Sequence, residues 1–196
     1  MSDELIDLTP ENIGREHLCC IIRTRTAHPG VETKRRWLAR RLPEGHVFRK
    51  LDVKGCAFIE YAPLETAWVP VEGGNYYYIY CLWVQGDLKG HGYELLALSF
   101  DGTVPRFAPN AKRQAIESRE LTIYYDDQCP YIPQRIEKLR EYCQANGIPA
   151  DFRHVETLEQ AKALPCVFNN WAAFYDGKFV TVNQLDGTAV AKLLKE

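Results

Sequence analysis

The sequence has no long apolar run and no strong excess of charge of either sign. Its 24 Lys and Arg nearly balance 26 Asp and Glu, which gives a net charge of −2 at pH 7 and a pI near 6.2. This balance argues against the strong positive field typical of nucleic-acid-binding proteins. No stretch approaches the roughly 20 apolar residues that span a bilayer, and the acidic start lacks the features of a signal peptide. We therefore expect a cytoplasmic protein that binds neither nucleic acid nor membrane.

Cysteines at the spacing of a disulfide framework or a metal site are also missing. The seven cysteines are odd in number, Cys19 and Cys20 are adjacent, and no C-x-x-C pair or His ligand spacing accompanies them. We expect no metal ion, and we expect free, mostly buried thiols in a reducing compartment. Cys129 is the one thiol for which the sequence also allows a functional role.

The composition is that of a folded chain with enough apolar residues for a core. Hydrophobic residues make up 46% of the 196 residues, a length between one large and two small domains. We predict an α/β (α+β) fold class with two units, over residues 1–100 and 119–196. Residues 101–118 contain Pro105, Pro109 and Lys112-Arg113 without a hydrophobic period, and we interpret them as a linker.

The second unit opens with a strand and a helix. Leu121–Tyr125 alternates β-forming residues and is followed by a turn signal at residues 126–128. Pro130 suits the first position of a helix, and Asn146-Gly147 supplies its left-handed end. The apolar residues at helical spacing are Ile132, Ile136, Leu139 and Cys143.

The rest of the second unit also contains clear local sequence signals for strands, helices and a hairpin turn. Residues 151–155 form a strand candidate, and Thr157 with Gln160 forms a capping box that opens a helix ended by Pro165. Asp176-Gly177 predicts a hairpin within residues 171–182, and Asp186 caps a final helix. The predicted order of elements is βαβαββα.

This order resembles the thioredoxin and glutaredoxin fold, and Cys129-Pro130-Tyr131-Ile132 resembles the glutaredoxin active-site tetrapeptide with Ile in place of its last cysteine. The resemblance implies a reactive thiol at Cys129, and a helix amino terminus lowers the pKa of a thiol. A small residue packed at a turn explains Cys129 equally well. Pro165 resembles the cis-proline beside that active site, although an ordinary trans proline ending a helix is favoured.

The first unit combines a basic helix with antiparallel strands. We predict a helix over residues 32–42, and we favour a solvated face over a phosphate site for its basic residues. Strands are predicted over residues 47–52, 56–61 and 76–84, and a glycine-rich turn follows over residues 85–93. Glu60 and Glu72 are conceivable bases, but solvated carboxylates are favoured.

A helix, a meander and a strand leading to Lys89-Gly-His-Gly-Tyr93 resemble the GNAT acetyltransferases over residues 5–93. With the second unit, the chain resembles GNAT-family proteins that carry a carboxy-terminal YoaP-type thioredoxin-like domain. The resemblance implies acetyl-CoA as cofactor and acetyl transfer to the amine of a small molecule or peptide. Strand backbone at Leu82, Trp83 and Val84 would bind the pantetheine and thioester. The residues implied for the pyrophosphate are Lys89, Gly90, His91 and Gly92.

The chain departs from the GNAT pattern immediately after this loop. Glu94 stands where the family has Gly or Ala, and residues 93–100 allow only about two helical turns. We therefore predict a last strand over residues 93–100 and a shortened unit whose cofactor helix is deleted. With unpaired sheet edges, this unit should be marginally stable, pair with a second copy as a homodimer, or lean on the carboxy-terminal domain.

Two other functions are compatible with the residues. Cys129 would support thiol chemistry with glutathione or a protein partner as the second thiol. The aromatic residues Trp68, 76–80 and Trp83 would suit a non-catalytic module that binds a peptide or a small molecule, although core packing is favoured for them.

Overall fold

The computed structural model describes residues 4–21, 28–53, 55–86 and 105–195. These residues form an α+β fold, as predicted, and divide into two compact units, Met1–Ala67 with Glu72–Arg106 and Trp68–Val71 with Phe107–Glu196. The strands and helices, in chain order, are β1 Leu5–Asp7, α1 Pro29–Arg41, β2 Val47–Leu51, β3 Ala57–Pro63, β4 Val71–Glu72, β5 Tyr77–Val84, β6 Arg106–Phe107, β7 Leu121–Tyr125, α2 Ile132–Ala145, β8 Ala150–His154, α3 Leu158–Ala163, β9 Trp171–Tyr175, β10 Lys178–Thr181 and α4 Gly187–Leu193.

The first unit is an antiparallel sheet with the described strands in the order β1-β2-β3-β5, packed on α1. One face carries the stacked rings of Phe48 and Phe58, whose centroids are 4.6 Å apart, and the ammonium of Lys34 on α1 lies over the Phe48 ring. Helix α1 begins earlier than predicted because His28 caps it: the Gly30 amide donates to its Nδ1 at 3.2 Å, and Pro29 takes the first position.

The second unit has the predicted element order βαβαββα. Its sheet runs β10-β9-β7-β8, with β7 parallel to β8 and antiparallel to β9. Helices α2 and α4 cover one face, and Cys143 lies in this core as predicted. The buried residues of this core are Leu121, Ile123, Ile132, Ile136, Leu139, Cys143, Trp171, Ala173, Leu185 and Val190.

Local signals in the second unit are confirmed by their hydrogen bonds. Thr157 accepts from the Gln160 amide at 3.2 Å and Asp186 from the Ala189 amide at 2.9 Å. Asp176 and Gly177 have φ of 48° and 77°, the left-handed pair that a type I′ hairpin turn requires.

The predicted start of α2 at Pro130 is wrong. The helix begins at Ile132, because residues 129–131 form a turn closed by the Ile132 amide donating to the Cys129 carbonyl at 3.1 Å. Pro133 supplies the proline of the first helical turn instead.

Residues 105–118, within the predicted linker, carry several defined contacts. Strand β6 pairs with β4, a 3₁₀ helix spans Asn110–Lys112, and Ala115 bridges to Lys178 on β10. The Asn110 amide donates to the carbonyls of Lys162 and Leu164 at 2.8 and 2.7 Å, which attaches this segment to the end of α3. The predicted strand over residues 93–100 lies outside the described residues.

Two further expectations concern membrane-spanning helices and the cis or trans form of Pro165. Among the described residues, no helix is both long and apolar enough to cross a membrane. The same residues contain no cis peptide bond, so Pro165 follows α3 as the ordinary trans proline that the sequence favoured.

Candidate active site

Strand β5 is interrupted by a bulge at the level of Glu60. Glu60 pairs with Cys81, whereas the next residue of β3, Tyr61, pairs with Ile79, so Tyr80 is an extra residue in β5. Bulges bend a strand and re-aim its side chains, and they are frequent beside active sites. The bulge therefore separates the strand into a first part, residues 77–79, and a second part, residues 81–84.

The second part of β5 presents exposed apolar side chains. Leu82 is 36% and Trp83 is 45% exposed, whereas Val84 is buried against Leu51 and Ala57. Leu82 and Trp83 point to opposite faces of the sheet, as neighbours in a strand must. The structure thus places three of the sequence-predicted cofactor residues at an accessible strand end. The other four, residues 89–92, lie outside the described residues.

A group of buried ionisable side chains lies under the α1 face of this sheet. The Glu60 carboxylate bridges Lys34 Nζ at 2.5 Å and His46 Nε2 at 3.1 Å. Lys34 extends from α1, His46 stands just before β2, and Glu60 lies on β3 opposite Phe48. All three residues are at most 2% exposed. Charges at this depth are retained in proteins only when they are paired.

The electrostatics of the group define its protonation states. Burial raises the pKa of Glu60, but Lys34 and His46 outweigh burial, and the pKa ends below its usual range. Burial lowers the pKa of His46 more strongly than Glu60 raises it. A neutral His46 facing a carboxylate donates its Nε2–H to Glu60. The lone pair of Nδ1 is then an acceptor, and the buried Nδ1 has no hydrogen-bond partner among the described residues.

Aromatic rings connect His46 with the bulge in β5. The Tyr80 ring centroid lies 4.8 Å from that of the imidazole, and the Trp37 ring meets the imidazole edge-on at 5.1 Å. Tyr80 is only half-buried, whereas Trp37 is fully buried. Tyr80 therefore contacts the buried His46 and directly precedes the second part of β5.

Two interpretations of the first unit need correction. Glu60 is fully buried instead of solvated, because its place opposite Phe48 turns it toward α1. The basic residues of α1 do not form one solvated face: Lys34 and Arg41 are buried, paired with Glu60 and with Glu44 respectively.

Sequence reasoning missed the roles of Lys34 and His46, although one signal was available. Lys34 lies three and four residues before Trp37 and Leu38 and so shares their buried helix face. Glu60 likewise alternates with the apolar Phe58 and Ala62 on one face of its strand. Glu72, the other candidate base, is exposed as expected.

The remaining sequence candidates are dispersed. Cys129 is half-buried in the turn between β7 and α2, against the core of the second unit, and its reactivity stays a prediction. Trp68 is a core residue, whereas Tyr77 is 64% exposed. All seven cysteines are free, and burial raises the pKa of Cys56 and Cys166 to about 12. Within the described ranges, no group of His, Cys, Asp and Glu is arranged to hold a metal ion.

Comparison with known proteins relates the chain to an N-acetyltransferase-like protein. A family model described as YoaP-like matches residues 149–195. The chain is 29% identical over 244 aligned positions to a Bacillus subtilis (strain 168) protein named Uncharacterized N-acetyltransferase YoaP, with 96% of this chain and 97% of that protein covered. Since the chain has 196 residues, several dozen positions of the alignment have no counterpart in it. No solved structure matches the chain.

Proposed function

We propose that the chain is an acetyltransferase-type protein that binds acetyl-CoA at the end of β5 and transfers the acetyl group to an amine. The observation that carries the proposal is the exposed pair Leu82 and Trp83, directly before the glycine-rich residues 85–93. Similarity along nearly the whole chain to a protein named as an N-acetyltransferase supports the same reaction class.

The end of β5 has the properties that a pantetheine arm requires. The arm is narrow, mostly apolar and carries two amides, so it can align with strand backbone in the manner of an added peptide strand. Leu82 and Trp83 would cover its apolar parts. Lys89, Gly90, His91 and Gly92 would hold the diphosphate, because backbone amides without neighbouring side chains can approach phosphate oxygens closely.

The reaction also needs an acceptor for the proton of the amine. The amine nitrogen attacks the thioester carbonyl, the C–S bond breaks, the nitrogen loses one proton, and the departing CoA thiolate takes up one proton from water. We assign the proton lost by the amine to Nδ1 of His46, whose ring contacts the ring of half-buried Tyr80 at a centroid distance of 4.8 Å. Glu60 fixes the imidazole through Nε2, at 3.1 Å, and so leaves Nδ1 as the basic atom.

We further propose that the second unit is a thioredoxin-like domain of the YoaP type. The βαβαββα order and the sheet order β10-β9-β7-β8 support this assignment, and so does the YoaP-like match to residues 149–195. No specific observation favours thiol chemistry at Cys129 over packing at that turn. The alignment with the Bacillus subtilis protein contains positions that this chain lacks, and we propose that they belong to the first unit.

Calorimetric titration with acetyl-CoA tests the binding proposal. Saturable binding is expected for the unchanged chain, and Trp83→Glu and Gly92→Glu should each weaken it at least about tenfold, or about 1.4 kcal/mol. Tyr77→Glu is the matched control, because Tyr77 is exposed on the same strand but lies before the bulge. Absence of saturable heat for the unchanged chain, or equal weakening by Tyr77→Glu, would overturn the proposed site.

Acetyl transfer is tested separately from binding. Chromatographic measurement of CoA release with a panel of primary amines should show transfer by the unchanged chain. His46→Gln should keep acetyl-CoA binding but slow transfer by about 10²- to 10⁴-fold, the usual contribution of a general base. Unchanged transfer by this variant would remove His46 from the mechanism, and binding without transfer in the unchanged chain would leave a non-catalytic acetyl-CoA-binding protein.

A further inference from the structure

The second unit contains an open cavity of about 800 Å³ that none of the sequence motifs explains. It lies on the face of the sheet opposite α2 and α4, between β7, β8, α3 and residues 113–118. Its size falls within the roughly 300–1,000 Å³ of small-molecule sites. Its lining includes Arg113, Glu117, Ser118, Tyr124, Arg153 and Gln160.

The cavity has an aromatic side and a fixed cation. Tyr124 continues a row of rings on this sheet face, with its centroid 5.8 Å from that of Phe174. The Arg153 guanidinium stacks over the Tyr124 ring at 5.4 Å. Its Nε donates to Asp151 at 2.6 Å and its Nη1 to the Tyr124 hydroxyl at 2.8 Å. Arg153 is thus held in one orientation before any ligand arrives.

A second guanidinium lines the cavity without a fixed partner. The side chain of Arg113 makes no hydrogen bond or ion pair with the described residues, whereas Arg119, outside the cavity, is paired with Asp176. Glu117 is the acidic side chain of the lining, which also contains His154 beside the two guanidinium groups. Asp151 offsets part of the Arg153 charge.

The neutral polar groups of the lining are left to act as donors. The Gln160 side-chain oxygen already accepts from the Glu156 amide at 2.7 Å, so its NH₂ group remains for a ligand. The single hydroxyl proton of Thr122 is within reach of the Ser118 hydroxyl at 3.4 Å and of the Glu120 carbonyl at 3.3 Å, and neither contact uses the hydroxyl proton of Ser118. A site built from guanidinium, NH₂ and hydroxyl donors is complementary to an anion with several acceptor oxygens.

We propose that this cavity binds a small organic carboxylate with a flat apolar body. The planar guanidinium fork of Arg113 matches a carboxylate in a bidentate geometry, and the Arg153 guanidinium stacked on Tyr124 presents a planar surface to a flat ring or planar chain. The proposal concerns the second unit alone and does not depend on acetyl transfer, so either can fail without the other.

Titration of the protein with benzoate tests the proposal. Benzamide is the control for charge, because it has the same shape but is neutral. Inorganic phosphate is the control for the apolar body, because it is an anion without one. Backbone amide NMR should show saturable shifts at residues 113–118 and 153–160 on adding benzoate. Benzamide should bind at least about tenfold more weakly, a difference of about 1.4 kcal/mol.

Arg113→Gln and Arg119→Gln form the matched pair of variants. Both positions are exposed, so neither change should alter folding, which thermal unfolding checks. Arg113→Gln should weaken benzoate binding about tenfold, whereas Arg119→Gln should change it less than about twofold. Equal binding of benzamide, tighter binding of phosphate than of benzoate, equal effects of the two variants, or no saturation would each overturn the proposal.

Discussion

Replacing Lys34 by Met is the sharpest perturbation of the first unit. The change removes the ammonium that lies 2.5 Å from Glu60 but keeps an apolar side chain of similar length in the helix. Glu60 is fully buried, so its carboxylate then lacks the counter-ion that Lys34 supplied, although it still pairs with the neutral imidazole of His46. Removing one partner of a buried ion pair costs about 3–5 kcal/mol, and we expect a loss of that size at pH 7.

The pH dependence and a double variant identify the cause of this loss. As the pH falls, Glu60 takes up a proton in the variant and no longer needs a counter-ion. The difference in unfolding free energy between the variant and the unchanged protein should therefore shrink. A double variant with Lys34→Met and Glu60→Gln lacks both charges. Its loss of unfolding free energy should be smaller than the sum of the losses in the two single variants, by a coupling of about 1–3 kcal/mol. Arg36→Met is the control, since Arg36 is exposed on the same helix.

Urea unfolding followed by ¹⁹F NMR of 5-fluorotryptophan resolves the two units. The chain has four tryptophans. Trp37 packs against His46 and reports on the first unit, whereas Trp171 lies in the core of the second. A loss below about 1 kcal/mol at pH 7, or a Lys34→Met effect that does not change between pH 7 and pH 4, would refute an ionised Glu60 held by Lys34.

The other predictions concern stability and assembly. His154 has a raised pKa, chiefly because the Asp127 carboxylate lies 3.2 Å from its Nε2, so its contribution to stability is complete below its unfolded pKa of about 6.5 and is lost as the pH rises through the folded pKa. Urea unfolding should therefore show that His154→Gln costs more stability at pH 5.5 than at pH 8.5, and a cost independent of pH would contradict this. Gly177→Ala should destabilise the second unit by about 1–3 kcal/mol in the same assay, since φ is +77° and a Cβ would approach the Ile116 carbonyl oxygen to 3.0 Å; an effect within about 0.5 kcal/mol would count against this turn geometry. We also propose that the shortened first unit pairs with a second copy through its sheet edges, so sedimentation velocity should detect a dimer, and a monomer at all concentrations would exclude it.

The second unit was predictable from sequence because its signals are local. Thr157 and Asp186 each reach an amide only three residues away, and the turn at Asp176 needs only its neighbour Gly177. The start of α2 was misplaced because Pro130 and Pro133 are both suited to a first helical turn. Such an ambiguity shifts a boundary without changing the order of elements.

The buried group of the first unit was not predictable in the same way. Lys34, His46 and Glu60 come from three different elements, and only the pairing register between β2 and β3 turns Glu60 toward α1. A one-residue change of that register would send the carboxylate to the opposite face of the sheet. The sequence shows that Lys34 and Glu60 are charged residues on otherwise apolar faces. The strand register that brings Glu60 toward Lys34 and His46 is set by packing.

The position of β7 in its sheet has a consequence for synthesis of the chain on the ribosome. β7 is the first strand of its sheet to be made, yet it lies between β8 and β9. Its parallel partner follows at residues 150–154, but its other edge stays without a partner until Trp171–Tyr175 has been made. Until then, the nascent chain presents an open backbone edge on a strand that will later lie in the interior of its sheet.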